Sequence, residues 1–144
     1  VKQGHPSMPP WYLLNGSLMV ALPDILIVEN QEFIVLPLNH LNVEAVPVVL
    51  GGRRTCDSDD FYPRTATTPL LLPNIPDADT GEPLLIAFFG TGAYQAMLSG
   101  EGGAHHCLAP EAPKVIFEQS EGALQTRLIG EQSWQNVIAD LGYR

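Results

Sequence analysis

Basic residues are scarce in this chain of 144 residues: Lys and Arg together number 7, against 16 Asp and Glu, for a formal net charge of −9. A nucleic-acid-binding domain needs a basic stripe that releases counterions from phosphates, so the balance argues against that class. Charge of either sign is also sparse, at 16% of residues, compared with roughly 25% in an average soluble protein. A surface that poor in charge is usually one that something covers. Cysteine occurs twice, too few for a disulfide framework, which points to a reducing compartment: the cytoplasm, or a plastid if the source is a plant. Long apolar runs are missing too. The stretch from Leu13 to Val28 comes nearest, but Asn15, Gly16, Pro23 and Asp24 interrupt it, and a membrane span needs ~20 apolar residues. No membrane partner is expected. The start, Val1-Lys2-Gln3-Gly4-His5-Pro6, has no apolar segment of the kind a signal peptide carries, and without an initial Met the chain reads as a piece of something longer.

What is abundant is turn chemistry and apolar material. Gly and Pro occur 13 times each, and apolar residues reach 45%, a combination that disfavours a helical bundle and still allows a core. Residues 1–10 read as a flexible lead-in. Trp11 to Leu22 predicts a strand ended by Pro23-Asp24, and Glu32 to Leu38 a second with Pro37 at an edge. Val46 to Leu50 begins a third that Gly51-Gly52 bulges or bends. Thr67 to Leu72 is another short extended run, Pro73 to Glu82 is a turn, and Pro83 to Phe89 is a buried strand ending in Gly90-Thr91-Gly92. Ala93 to Leu98 predicts one or two helical turns. Lys114 to Gln119 and Ala123 to Ile129 form a hairpin across Ser120-Glu121-Gly122. Ser133 caps a helix from Trp134 to Leu141, with Gly142 at its C-terminal side. The expectation is a single mainly β domain over 1–144: a Greek-key-like barrel or sandwich of about seven short strands with a C-terminal helix.

Among residues that do chemistry, Cys56-Asp57-Ser58-Asp59-Asp60 beside Arg53-Arg54 stands out. A thiol can move a proton, and carboxylates grip a cationic substrate through charge-assisted bonds worth roughly 1.5–3 kcal/mol each. The alternative is that the acids cap turns and Cys56 packs as a small hydrophobe. His105-His106-Cys107 does not match zinc-ligand spacing, and a Cys56–Cys107 bridge requires Cα atoms within ~7 Å. Gly90-Thr91-Gly92 lacks the third glycine and the acid of a dinucleotide fingerprint. Neither Lys2 nor Lys114 sits in a Schiff-base setting.

Several motifs nevertheless fall into one order: Tyr12-Leu13-Leu14-Asn15-Gly16-Ser17-Leu18 followed by Leu22-Pro23-Asp24, then Phe33-Ile34-Val35-Leu36-Pro37-Leu38, then Thr55-Cys56-Asp57-Ser58-Asp59, and last Phe88-Phe89-Gly90-Thr91-Gly92-Ala93-Tyr94-Gln95 with His105-His106 beyond it. The series resembles the C-terminal region of biosynthetic arginine decarboxylases, in the fold group of eukaryotic ornithine decarboxylase and alanine racemase. The resemblance extends from about Tyr12 to Leu141. It implies a β-domain that completes an active site built around pyridoxal 5′-phosphate (PLP), with a TIM-barrel domain or chain holding the cofactor lysine and the complete enzyme a homo-oligomer. A magnesium ion in the assembly is left open. Carried over by motif, Cys56 protonates the substrate Cα after CO₂ leaves, Asp57, Asp24 and Asp59 bind the distal cation of a small amino acid, and Tyr94 bonds the PLP phosphate. Asp60-Phe61 departs from the family, which has Gly after Cys-Asp-Ser-Asp. Two other readings stay open: a non-catalytic regulatory or dimerisation relative, and a freestanding β-sandwich binding module.

Overall fold

The computed structural model describes residues 7–53, 58–65, 68–75, 81–92, 94–100 and 103–143. Its described elements are mainly strands: β1 (Trp11–Leu13), β2 (Ile34–Pro37), β3 (Ala45–Gly51), β4 (Phe61–Tyr62), β5 (Leu70–Pro73), β6 (Ile86–Phe89), β7 (Lys114–Ser120) and β8 (Ala123–Ile129). Three short helices accompany them, α1 (Leu18–Ala21), α2 (Asp24–Ile27) and α3 (Trp134–Asp140), with a 3₁₀ turn at His106–Leu108.

β3 is the organising strand. It pairs in parallel with β1 and antiparallel with β4 at one end and β5 at the other. β2 and β6 form a separate antiparallel pair, and β7 and β8 form the C-terminal hairpin. The described strands do not close a barrel; the arrangement is sandwich-like. Strand alternation explains the packing between the β3 sheet and the β2–β6 pair. Val48, Leu50, Tyr62 and Leu72 point inward from the first, Val35 from the second, and Tyr12, Leu18, Leu22 and Ile25 close the same cluster. Leu50 and Leu72 are fully buried. Phe33, Tyr62 and Phe88 meet in tilted and edge-on pairs with ring centroids 5.9–6.4 Å apart, the geometry aromatic rings prefer.

Buried hydroxyls find partners. Tyr12 donates to the Pro73 carbonyl at 2.8 Å and accepts from the Ile75 amide at 3.0 Å. The Tyr62 hydroxyl accepts from the Phe33 amide at 2.8 Å.

One sequence expectation is corrected here: Trp11 to Leu22 is not a continuous strand. β1 stops at Leu13 and α1 begins at Leu18, because Ser17 accepts from the Val20 amide at 3.1 Å and so caps a helical turn. The helical turn also buries Leu18, Met19 and Val20 together, which alternation could not do. Helix was expected over Ala93 to Leu98, and its described residues, 94–98, form turns and bends instead.

Candidate functional site

The motif segments lie far apart in sequence, and the fold brings the end of the last one, Gln95, and the residues on either side of the Thr55–Asp59 segment, Arg53 and Asp60, to residues 16–24. The Arg53 amide donates to the Gly16 carbonyl at 2.9 Å, and the Gly52 amide donates to the Asp60 carbonyl at 2.8 Å. Asp60 is buried, and its Oδ1 accepts from the Met19 amide at 2.8 Å. That bond satisfies a second orphan donor at the start of α1, beside the one Ser17 takes. Gly52 makes room for it: a Cβ there would stand 1.8 Å from Asp60 Oδ2. Arg53 and Asp60, at either side of the acidic stretch, are therefore both fastened to residues 16–19.

Cys56 and Asp57 lie outside the described residues. Asp59 is described, and its carboxylate stands 3.8 Å from the Arg64 guanidinium, which also donates to the Asp59 carbonyl at 2.5 Å and covers the Phe61 ring at 5.0 Å from its centroid. Asp24 opens α2 immediately after the fully buried Pro23 and is itself 7% exposed. The Gln95 amide donates to Asp24 Oδ2 at 2.9 Å, which ties the Gly-Ala-Tyr-Gln motif to α2. Tyr94, one residue earlier, is 71% exposed and holds a left-handed backbone with φ of 56°.

Sequence reasoning assigned no individual role to Asp60 or Gln95. Gln95 was legible as the last residue of a recognised motif. Asp60 was legible as a member of the acidic cluster, whose acids were expected either to grip a cation or to cap turns, and as standing where a glycine is usual.

The histidine–cysteine cluster is divided. His105 is buried 3.7 Å from Asp140 of α3, whereas Cys107 is exposed. No group of three His, Cys, Asp or Glu side chains suited to a metal ion occurs among the described residues, and no described helix is long and apolar enough to cross a membrane.

Lys114 is the one lysine among the described residues, and its ammonium is paired with Glu111 at 2.9 Å.

Three curated proteins show what the chain is similar to. It is 40% identical to the biosynthetic arginine decarboxylase of Marinobacter nauticus over 88 residues, 59% of this chain and 14% of that protein. The enzyme of the same name from Shewanella denitrificans is 35% identical over 112 residues, 76% of this chain and 17% of that protein. The one from Klebsiella pneumoniae is 30% identical over 131 residues, 89% of this chain and 20% of that protein. These similarities relate the chain to biosynthetic arginine decarboxylase, and the chain spans between 14% and 20% of the length of those relatives. No family model matches it, and no solved structure matches it.

Proposed function

We propose that this chain is the β-domain part of a PLP-dependent arginine decarboxylase, supplying acid and cation-binding residues to a site that a PLP-holding TIM barrel completes at an interface. The overall conversion is L-arginine to agmatine and CO₂. The observation that carries the reading is a convergence on residues 16–24: Arg53 and Asp60, on either side of the Cys56-Asp57 stretch, are fastened to Gly16 and Met19, and Gln95, next to Tyr94, is fastened to Asp24 at the start of α2. A charge-poor chain with Tyr94 standing exposed is also what an incomplete half-site needs.

In this reading each of the chain's own residues has a distinct task. Cys56 delivers a proton to the substrate Cα once CO₂ has left, and its position decides which carbon is quenched. Asp57 and Asp24 bind the guanidinium, a planar cation whose fork of N–H donors matches carboxylates. Asp59, whose carbonyl accepts from Arg64, adds a further carboxylate for the same cation. The Tyr94 hydroxyl donates to the cofactor phosphate. The cofactor supplies the electron sink, and its lysine belongs to the companion barrel.

The test is the complete assembly, loaded with PLP and supplied with L-arginine. Cys56→Ala and Asp57→Ala each lower turnover at least a hundredfold if the assigned tasks are right; full turnover in both variants overturns them. The 144-residue chain alone releases no CO₂ from arginine.

A further inference from the structure

Gln95 closes the Gly-Ala-Tyr-Gln motif, yet the reaction outlined above gives it no task. Its amide donates to Asp24 Oδ2 at 2.9 Å. Two oxygens are then left over: Asp24 Oδ1 and Gln95 Oε1 are both shut off from solvent and both lack a hydrogen-bond partner. Both are acceptors. Turning the Gln95 amide end for end does not help, because its oxygen would then face a carboxylate oxygen. Among the described ion pairs none reaches Asp24: Arg64 goes to Asp59 and Lys114 to Glu111. A carboxylate that is nine-tenths buried and short of a hydrogen bond is costly to keep. It is the arrangement expected where a ligand supplies the missing donors.

We infer that Gln95 and Asp24 together form a two-acceptor receptor for a donor-rich cation, with Gln95 setting the preference for donors over bare charge. The identity of that cation, the guanidinium of arginine, rests on the function proposed above. A guanidinium brings five N–H donors and no acceptor, so it answers two orphan oxygens at once, while the carboxylate supplies the opposite charge. A quaternary ammonium carries the charge and no donor. Access runs through Gln95, which lines a cavity of about 860 Å³ together with Ser17, Val20, Ala21, Ala96 and Trp134. Asp24 is not in that lining and stands behind its bond to Gln95; the terminal torsion of a glutamine is soft, and binding at Asp24 requires that side chain to turn.

The experiment follows the Gln95 side-chain amide signals of the nitrogen-labelled chain by NMR while agmatine, guanidinium or tetramethylammonium is added at constant ionic strength. Agmatine and guanidinium shift those signals saturably, and tetramethylammonium does not. Gln95→Met, which keeps the length and removes donor and acceptor, weakens agmatine binding at least tenfold by calorimetry, and Asp24→Asn abolishes it. Equal responses to all three cations overturn the inference, as does unchanged agmatine affinity in Gln95→Met. If Asp24→Asn does not fold, the cation series and Gln95→Met still decide. The two readings fail separately. An assembly without decarboxylase activity whose guanidinium response persists removes only the assigned reaction. Loss of turnover in Cys56→Ala, with agmatine binding indifferent to Gln95, removes only the receptor.

Discussion

Residues 11–89 and residues 114–143 are built on opposite terms. The first region folds β1 to β6 around a shared interior in which Leu50 and Leu72 are fully buried and three aromatic rings interlock. The second is a hairpin followed by α3, and every residue of β8 is exposed. Its register is nevertheless regular, from Lys114 opposite Ile129 to Ser120 opposite Ala123. That register puts Val115, Phe117, Leu124 and Leu128 on one face, with Gln119 and Thr126 as their only companions and no charge among them. Phe117 is 64% exposed, and Leu124 and Leu128 are each 70% exposed. The difference teaches that local pattern and turn chemistry can specify a strand pair without giving it an interior. A two-stranded hairpin is only marginally stable in water, so this face is an unfinished surface, whereas the first region has an interior of its own although it too exposes apolar side chains such as Ile34 and Leu41.

Substitutions can break that contrast or sharpen it. The largest effect belongs to Leu50→Ala, which leaves a cavity among fully packed neighbours and costs about 2–5 kcal/mol in urea unfolding. Asp60→Ala comes next. It strips the Met19 amide of its buried acceptor and costs about 1–3 kcal/mol, seen as a lower urea midpoint with an unchanged slope. Ser133→Ala removes the cap that accepts from the Asn136 amide and costs about 1 kcal/mol. That loss registers as faster amide exchange confined to α3, with the urea midpoint of the first region unmoved. Leu124→Ala is the smallest, within about 0.5 kcal/mol in the chain alone, because its side chain has no interior to leave. A loss at Leu124 as large as the one at Leu50 would mean that the hairpin face is packed after all, and the contrast would collapse.

The same division governs how much was legible in the sequence. The hairpin and α3 could be read almost to the residue, because alternation, the Glu121-Gly122 turn and the Ser133 cap are local signals. The first region was harder. Leu18 to Val20 looks like strand composition, and only the Ser17 cap and the Asp60 carboxylate 41 residues away make it helical. α2 and β4 are too short for any periodicity to show. Of the candidate site, Asp24 and Tyr94 were named from motifs, but the bond that joins their neighbourhoods runs through Gln95 over 71 residues of sequence, and no local pattern encodes such a contact. Asp60 was noticed as a member of the acidic cluster and as a departure from a usual glycine; that its carboxylate is buried against a helix start depends on Gly52, which is evident only in three dimensions.

The central claim is that residues of this chain act on an amino acid in a site it shares with a PLP-bearing partner. Release of CO₂ and agmatine from L-arginine by the complete assembly, compared with the same assembly carrying Cys56→Ala, tests it most directly. The account predicts turnover in the first and a fall of at least a hundredfold in the second, with PLP absorbance retained in both. Equal turnover in the two, or none in either while the cofactor is bound, would contradict it.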